Sequence, residues 1–484
     1  MNTAIKWGTL ILLCLGFNHL KSQTISWDDP VVVNDDISKG YTRPKITLDE
    51  SGNAVIIWGK ASNKEVYCTR IEDSQVTTPI RITPVGVNAF VQSWAGPGVS
   101  SFGNVVYATF KSQPESEGYV YVVKSEDGGK TFGDTIRVSN QNWSRFPDVT
   151  VSSDGEPVVA YMAFEPNFAE PHYVVAKYDI SSSSFNDPVA ASSVAPGEAC
   201  DCCPAFVVTK NKVTTLLFRN NDKNLRDIWA SVSEDNGLTF KQGKDVDQTN
   251  WVIGGCPSTG PNGTYKGDSL VYVWMSGASG QSKVFIGAMY PPTLELGTNI
   301  ELTPDVDLSQ NYPKVKGDSE VLVVTYQEFN QGKSNIKLVI SEGPVKNLQN
   351  KQIVTVNKDE TSIHQNPDIA YSSGEVHVVW QDSKNRKVMY RRGSVKNVSG
   401  ILQSKKANEI KVFNTSESEI IISTQGIATG DFNIVVYNVL GSRVYEQHMV
   451  ENQIIEINNL ETGIYTVVLD DGLFQKVQRI VVSR

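Results

Sequence analysis

Four cysteines and two arginines lie close together in the middle of the chain. Cys200, Cys202 and Cys203 sit in Cys200-Asp201-Cys202-Cys203-Pro204, and Cys256 follows in Gly254-Gly255-Cys256-Pro257. Between them run Phe218-Arg219-Asn220-Asn221-Asp222 and Leu225-Arg226-Asp227. Thiols in this arrangement have three possible chemistries. In an oxidising compartment they pair, with Cys256 cross-linking to one of the cluster. As thiolates they offer four sulfurs to a zinc or copper(I) ion. The third possibility is redox exchange. Cys68 stands apart and reads as a lone buried thiol that packs as a small hydrophobe.

A second set of chemically useful residues recurs at wider spacing. Arg43, Trp94, Trp143, Arg145, Trp251, Tyr312 and His364 each fall shortly before an apolar run that starts at or beside a proline. Aromatic rings stack on sugar faces and guanidinium pairs with carboxylate or sulfate. Arg43, Arg145, Arg219, Arg226, Trp143 and Trp251 are therefore the candidate substrate-binding residues, for an acidic glycan above all. His364 is the candidate base, with Asp222 and Tyr312 as the other catalytic candidates. Asp and Asn in the loops could hold calcium, but at no fixed spacing. No phosphate-binding Gly-rich loop, His-Glu-x-x-His or Gly-x-Ser-x-Gly occurs, which argues against nucleotide chemistry, zincin proteolysis and α/β-hydrolase chemistry.

These residues can meet only if the chain repeats in space. Prolines 44, 97, 147, 204, 257, 313 and 367 open similar apolar strands at spacings of 53, 50, 57, 53, 56 and 54 residues. Each continues through a turn into a β-rich segment such as Val55-Ile56-Ile57-Trp58 or Val271-Tyr272-Val273-Trp274. Four short strands per repeat is the pattern of a propeller blade. The expected fold is all-β: a seven-bladed β-propeller closed by the N-terminal strand, followed by a small β-sandwich. The seventh repeat lacks a fourth strand, and Trp27-Asp28-Asp29-Pro30-Val31 resembles the fourth-strand segment Phe185-Asn186-Asp187-Pro188-Val189. The first residues of the mature chain would thus complete the last blade. On this reading Cys203 and Cys256 occupy equivalent positions in neighbouring blades, so all four thiols converge on one rim.

Two repeats carry a sharper mark, Ser125-Glu126-Asp127-Gly128-Gly129-Lys130-Thr131-Phe132 and Ser233-Glu234-Asp235-Asn236-Gly237-Leu238-Thr239-Phe240. Both resemble the Asp-box, or BNR repeat, of sialidase-like propellers. That resemblance implies a structural role for Asp127, Gly129, Asp235 and Gly237, remote from any active site. A sialidase would also require three arginines around the substrate carboxylate. Arg145-Phe146-Pro147 loosely resembles the first, yet no arginine occurs between Asp227 and Asn385, where the later two belong. Seven-bladed polysaccharide lyases use His, Tyr and Arg, types that are present here without a motif binding them. The Cys-x-Cys-Cys loop with the Arg-rich hairpin resembles a group of secreted sialidase-like propellers. The favoured reading is a propeller that binds glycan or protein at its channel rim; the alternative is an enzyme, either an exo-sialidase-type hydrolase or a lyase on uronate polymers.

The ends of the chain give an address. Lys6 and the apolar run Trp7 to Phe17 form the layout of a secretory signal peptide, expected over residues 1–22. The run is too short to span a bilayer, and no other stretch approaches the ~20 apolar residues a span requires. The propeller is placed at 23–405 and the sandwich at 410–484. The sandwich region holds Tyr437-Asn438-Val439-Leu440-Gly441 and Leu460-Glu461-Thr462-Gly463-Ile464-Tyr465. It resembles the C-terminal sorting domain of type IX secretion cargo from the Bacteroidetes, which implies passage through that machinery to the outer surface or the medium. Net charge is −9, which argues against a nucleic-acid partner.

Overall fold

The computed structural model describes residues 24–34, 42–342, 345, 348, 351–396, 411–415, 419–423, 431–439, 442–450, 454–470 and 475–482. The signal-peptide segment 1–22 and the linker 397–410 lie outside them. Two compact units form, one of them spanning Ile25–Val395 and the other including Lys396–Arg484.

Among the described residues, the unit Ile25–Val395 holds seven antiparallel sheets of four or five strands. The first strands of the seven blades are Lys45–Leu48, Gly98–Phe102, Ser144–Val151, Phe206–Lys210, Asn262–Lys266, Ser309–Gly317 and His364–Ser372. The second strands are buried on both faces and read as continuous apolar runs, as strands covered on both sides do. Val55 and Ile57 face Val106 and Ala108 of blade two, while Ile56 and Trp58 face Val379 and Tyr390 of blade seven. Corresponding clusters fill every other gap between consecutive blades. The unit is a β-propeller.

The N-terminal strand joins the seventh sheet. Thr24–Trp27 lies beside Lys387–Lys396, the third strand of the seventh sheet. Val31 and Val32 pair with Tyr390 and Met389 of that same strand. Gly393 lies so close beneath Ile25 and Trp27 that a Cβ would fall 2.6 Å from the indole.

One register differs from the sequence expectation. Blade five begins at Asn262, so Gly260-Pro261 and not Cys256-Pro257 matches Cys203-Pro204. The reason is steric: a Cβ on residue 260 would stand 1.7 Å from the carbonyl oxygen of Pro204, so only glycine fits where the two chains converge. Cys256 belongs to the preceding loop.

The two Ser-x-Asp-x-Gly-x-Thr-Phe segments form matching turns between third and fourth strands. Asp127 accepts the N–H groups of Lys130 and Thr131 at 3.0 and 2.8 Å and the Thr131 hydroxyl at 2.6 Å. Asp235 does the same with Leu238 and Thr239. Gly129 and Gly237 take φ of 87° and 86°. Because strands alternate direction, these turns lie on the face opposite the loops that precede the first strands.

The C-terminal unit has a three-stranded sheet, Lys411–Thr415, Glu419–Ser423 and Ile454–Ile457, and a four-stranded one, Arg443–Val450, Asp431–Asn438, Gly463–Asp470 and Gln475–Val482. Ile420, Ile422 and Ile455 of the first share one core with Ile434, Val436, Val467 and Ile480 of the second, which makes it a sandwich. Among the described residues no helix is long and apolar enough to cross a membrane.

Candidate functional site

The channel mouth is built from strained backbone. Arg43, Phe146, Tyr312 and Asn366, each preceding a proline, hold φ between 43° and 52°, a region costly for residues other than glycine. Strand pairing skips at this point in blades three, six and seven, which turns the chain into the channel. There Arg43 donates to Asn366 Oδ1 at 2.7 Å and to the Ser93 carbonyl at 3.1 Å, with its guanidinium 5.6 Å from the centre of the Tyr312 ring. Lys45, Lys314 and Asp148 lie further in. Burial, then the charge of Lys45, pulls Lys314 down to about 7, and burial raises Asp148. The cavity they enclose measures about 60 Å³. A sugar site needs several hundred, so the channel itself is filled by its own residues.

Most predicted rim residues are committed to holding the rim together. Arg145 forms an ion pair with Glu115, donates to the Asp201 carbonyl, and lies 4.3 Å from the ring centre of Phe168. Trp143 meets Phe168 edge-on at 4.7 Å. Arg219 is wholly buried and donates to the carbonyls of Thr259, Arg226 and Met275, above the Trp251 ring. Arg219 and Trp251 are out of a ligand's reach. The position of Arg219 in a long apolar strand was the available signal.

Each of the three catalytic candidates has partners of its own. His364 is 2% exposed; its Nδ1 accepts the Trp380 indole N–H at 3.0 Å and its Nε2 meets the Asp359 carbonyl. Both ring nitrogens are occupied, so it has no free lone pair to act as a base. Asp222 closes the tip of the blade-four hairpin with Leu225, while Tyr312 packs against Arg43.

The cysteines do gather. Cys202 and Cys256 are joined in a disulfide that ties the loop before blade four to the loop before blade five. Cys200 and Cys203 are free and buried, with sulfurs 3.0 Å apart. Arg226 donates to Cys200 Sγ at 2.9 Å and to the Ile253 carbonyl at 3.2 Å. The hydrogen bond shared with Cys203, outweighing burial, together with the charge of Arg226 brings Cys200 down to about 6; burial pushes Cys203 up. Among the described residues, Cys200, Cys202 and Cys203 form the metal-ligating cluster. It is a sulfur set suited to zinc or copper(I) and not to calcium. With the bridge closed only Cys200 and Cys203 remain as thiols, so four-thiolate coordination requires the reduced protein.

Beside this cluster a hollow of about 480 Å³ opens, lined by Phe168, Glu170, Pro171, Glu198, Asp201 and Arg226 with the intervening backbone. Phe168 and Glu170 come from the second hairpin of blade three, which the sequence did not single out. Two positive-φ residues, Asn167 and Phe168, shape its turn. A second hollow of about 450 Å³ lies on the opposite face between blades seven and one, where His377, Tyr390 and Arg392 meet Asp28, Asp29, Glu50, Asp73 and Glu375.

Comparison with known proteins identifies the C-terminal unit. Residues 404–483 are a secretion system C-terminal sorting domain. The sorting domain marks the chain for delivery to the cell surface or the medium through the type IX system. No curated protein matches the chain. Among solved structures, an alpha-L-arabinanase from Penicillium chrysogenum is 15% identical, with a TM-score of 0.43, covering 62% of this chain and 92% of its own. An ulvan lyase is 10% identical, with a TM-score of 0.42, covering 82% and 94%. A neuraminidase-like protein of an influenza virus from the little yellow-shouldered bat is 11% identical, with a TM-score of 0.41, covering 66% and 100%.

Proposed function

We propose that the exported propeller is a carbohydrate-binding module, which takes a glycan in the hollow beside blades three and four. The observation that carries this is the half-buried Phe168 ring at the edge of a 480 Å³ space that also holds Glu170, Glu198 and Asp201. A ring face offers a platform for a pyranose, and carboxylates accept its hydroxyls. Three carboxylates face one arginine that is already engaged with Cys200 and Ile253. That balance favours a neutral glycan over the acidic one suggested by the arginine count. Binding without turnover is supported by the occupied nitrogens of His364.

The test is calorimetric titration of the purified protein with neutral oligosaccharides of glucose, xylose, mannose and arabinose, and with uronate oligomers, assaying the same mixtures for new reducing ends and unsaturated products. A neutral oligosaccharide should bind, and Phe168→Ala should weaken it at least tenfold. Binding that is indifferent to Phe168→Ala places the site elsewhere. New reducing ends would make Glu170 and Glu198 the carboxylate pair of a hydrolase.

A further inference from the structure

The sulfur cluster brings a free thiol within reach of a closed disulfide. Cys200 Sγ lies 3.6 Å from Cys202 Sγ and 3.0 Å from Cys203 Sγ, and Cys203 lies 3.9 Å from Cys202. Cys200 and Cys203 are fully buried, Cys202 is half-buried and Cys256 is exposed. An attacking group, a target and a leaving group are thus arrayed from the interior to the surface. Exchange between a thiolate and a disulfide needs no external oxidant, only that geometry and a stabilised thiolate.

We infer that Cys200 is the attacking thiol of an intramolecular exchange that moves the bridge from Cys202–Cys256 to Cys200–Cys203. In the first step the Cys200 thiolate attacks Cys202 Sγ. The Cys200–Cys202 bond forms, the Cys202–Cys256 bond breaks, and Cys256 leaves as a thiolate that takes up the proton Cys200 gave to solvent. In the second step Cys203 attacks Cys200 Sγ as its proton passes to Cys202: the Cys200–Cys203 bond forms, the Cys200–Cys202 bond breaks, and Cys202 leaves as the thiol. One disulfide and two thiols are present before and after, so no net oxidation occurs.

Two features of the site support the first step. The Arg226 guanidinium, 2.9 Å from Cys200 Sγ, offsets the charge of the thiolate in a place that water does not reach. Cys203 Sγ is joined to the same sulfur by a hydrogen bond of 3.0 Å, which holds the three sulfurs together. The spacing Cys200-x-x-Cys203 permits a bridge within one loop. The exchange unties the blade-four loop from the blade-five loop and leaves Cys256 as a free, exposed thiol.

The full-length purified protein is incubated with N-ethylmaleimide at pH 7.5, quenched in acid, digested, and mapped by mass spectrometry. The expected result is a time-dependent loss of the Cys202–Cys256 peptide with matching gain of a Cys200–Cys203 peptide and of alkylated Cys256. Cys200→Ser should slow alkylation of Cys256 at least tenfold, whereas Cys68→Ser should leave it unchanged. Arg226→Gln should slow it as well, since no guanidinium then offsets the thiolate charge. The wild-type map alone overturns the inference if Cys202–Cys256 persists throughout, or if both bridges are closed in one molecule.

Discussion

Asp368 in blade seven accepts the backbone N–H of Ile46 in blade one at 3.0 Å. The same bond recurs from Asp148 to Val207 and from Asn262 to Val315, each time from the residue after a channel proline to the first strand of the next blade. At Asp368 it joins residues 322 positions apart, and so ties the end of the propeller to its beginning.

Removing that acceptor leaves a buried N–H unpaired beside the channel. Asp368→Ala should cost about 1–3 kcal/mol, while Asp368→Asn, which keeps an oxygen, should cost under about 1 kcal/mol. Urea denaturation of the two variants checks the difference. Equal midpoints would mean that the bond contributes nothing to closure.

Arg219 is held by three carbonyls from two blades. Arg219→Met fills much of its volume but leaves those carbonyls unpaired, and should destabilise the propeller by roughly 2–4 kcal/mol. Lysine cannot span the same carbonyls, so Arg219→Lys should recover less than half the loss. The same urea titration reads both variants.

His377 is 4% exposed and bonded through Nδ1 to the Tyr390 hydroxyl at 2.7 Å. Burial, then the charge of Arg392, holds it down to about 4 from 6.5. The folded state therefore binds this proton less readily than the unfolded chain. Its stabilising contribution is complete above pH 6.5 and is lost as pH falls toward 4, at up to about 1.4 kcal/mol per pH unit. His377→Asn should flatten the stability profile across that window, as melting temperatures between pH 4 and pH 7 would show.

Asp127 behaves in the opposite range. Burial raises it, but the hydrogen bonds from Thr131, Ser125 and Lys130 prevail and bring it to about 2 from 3.8. Its contribution is present above pH 3.8 and lost between there and pH 2. With solvent screening at this partly exposed turn, Asp127→Ala should cost about 1 kcal/mol at pH 7 and less at pH 2. Chemical denaturation at the two pH values measures it.

The propeller was legible because proline-led strands repeat along the chain and because Val, Ile and aromatic runs mark strands covered on both faces. Closure could be read from the likeness of Trp27–Val31 to Phe185–Val189. Blade five was misphased because Cys256-Pro257 and Gly260-Pro261 compete for one role, and only the approach of the Pro204 carbonyl decides between them. The site was less legible. Residue type placed Arg145, Arg219 and Trp251 on the rim, yet their partners, Glu115 and carbonyls across neighbouring blades, are fixed by packing that spacing does not encode. Phe168 carried no signal beyond its turn, since Glu198 and Asp201, which share its hollow, come from the loop before blade four.

Binding without turnover at the hollow beside Phe168 underlies the proposed function. The most direct measurement follows one neutral oligosaccharide that the protein retains, recovering it after prolonged incubation and weighing it by mass spectrometry. The mass should be unchanged, with retention lost in Phe168→Ala. Shortened or unsaturated fragments that disappear with Glu170→Gln would contradict it.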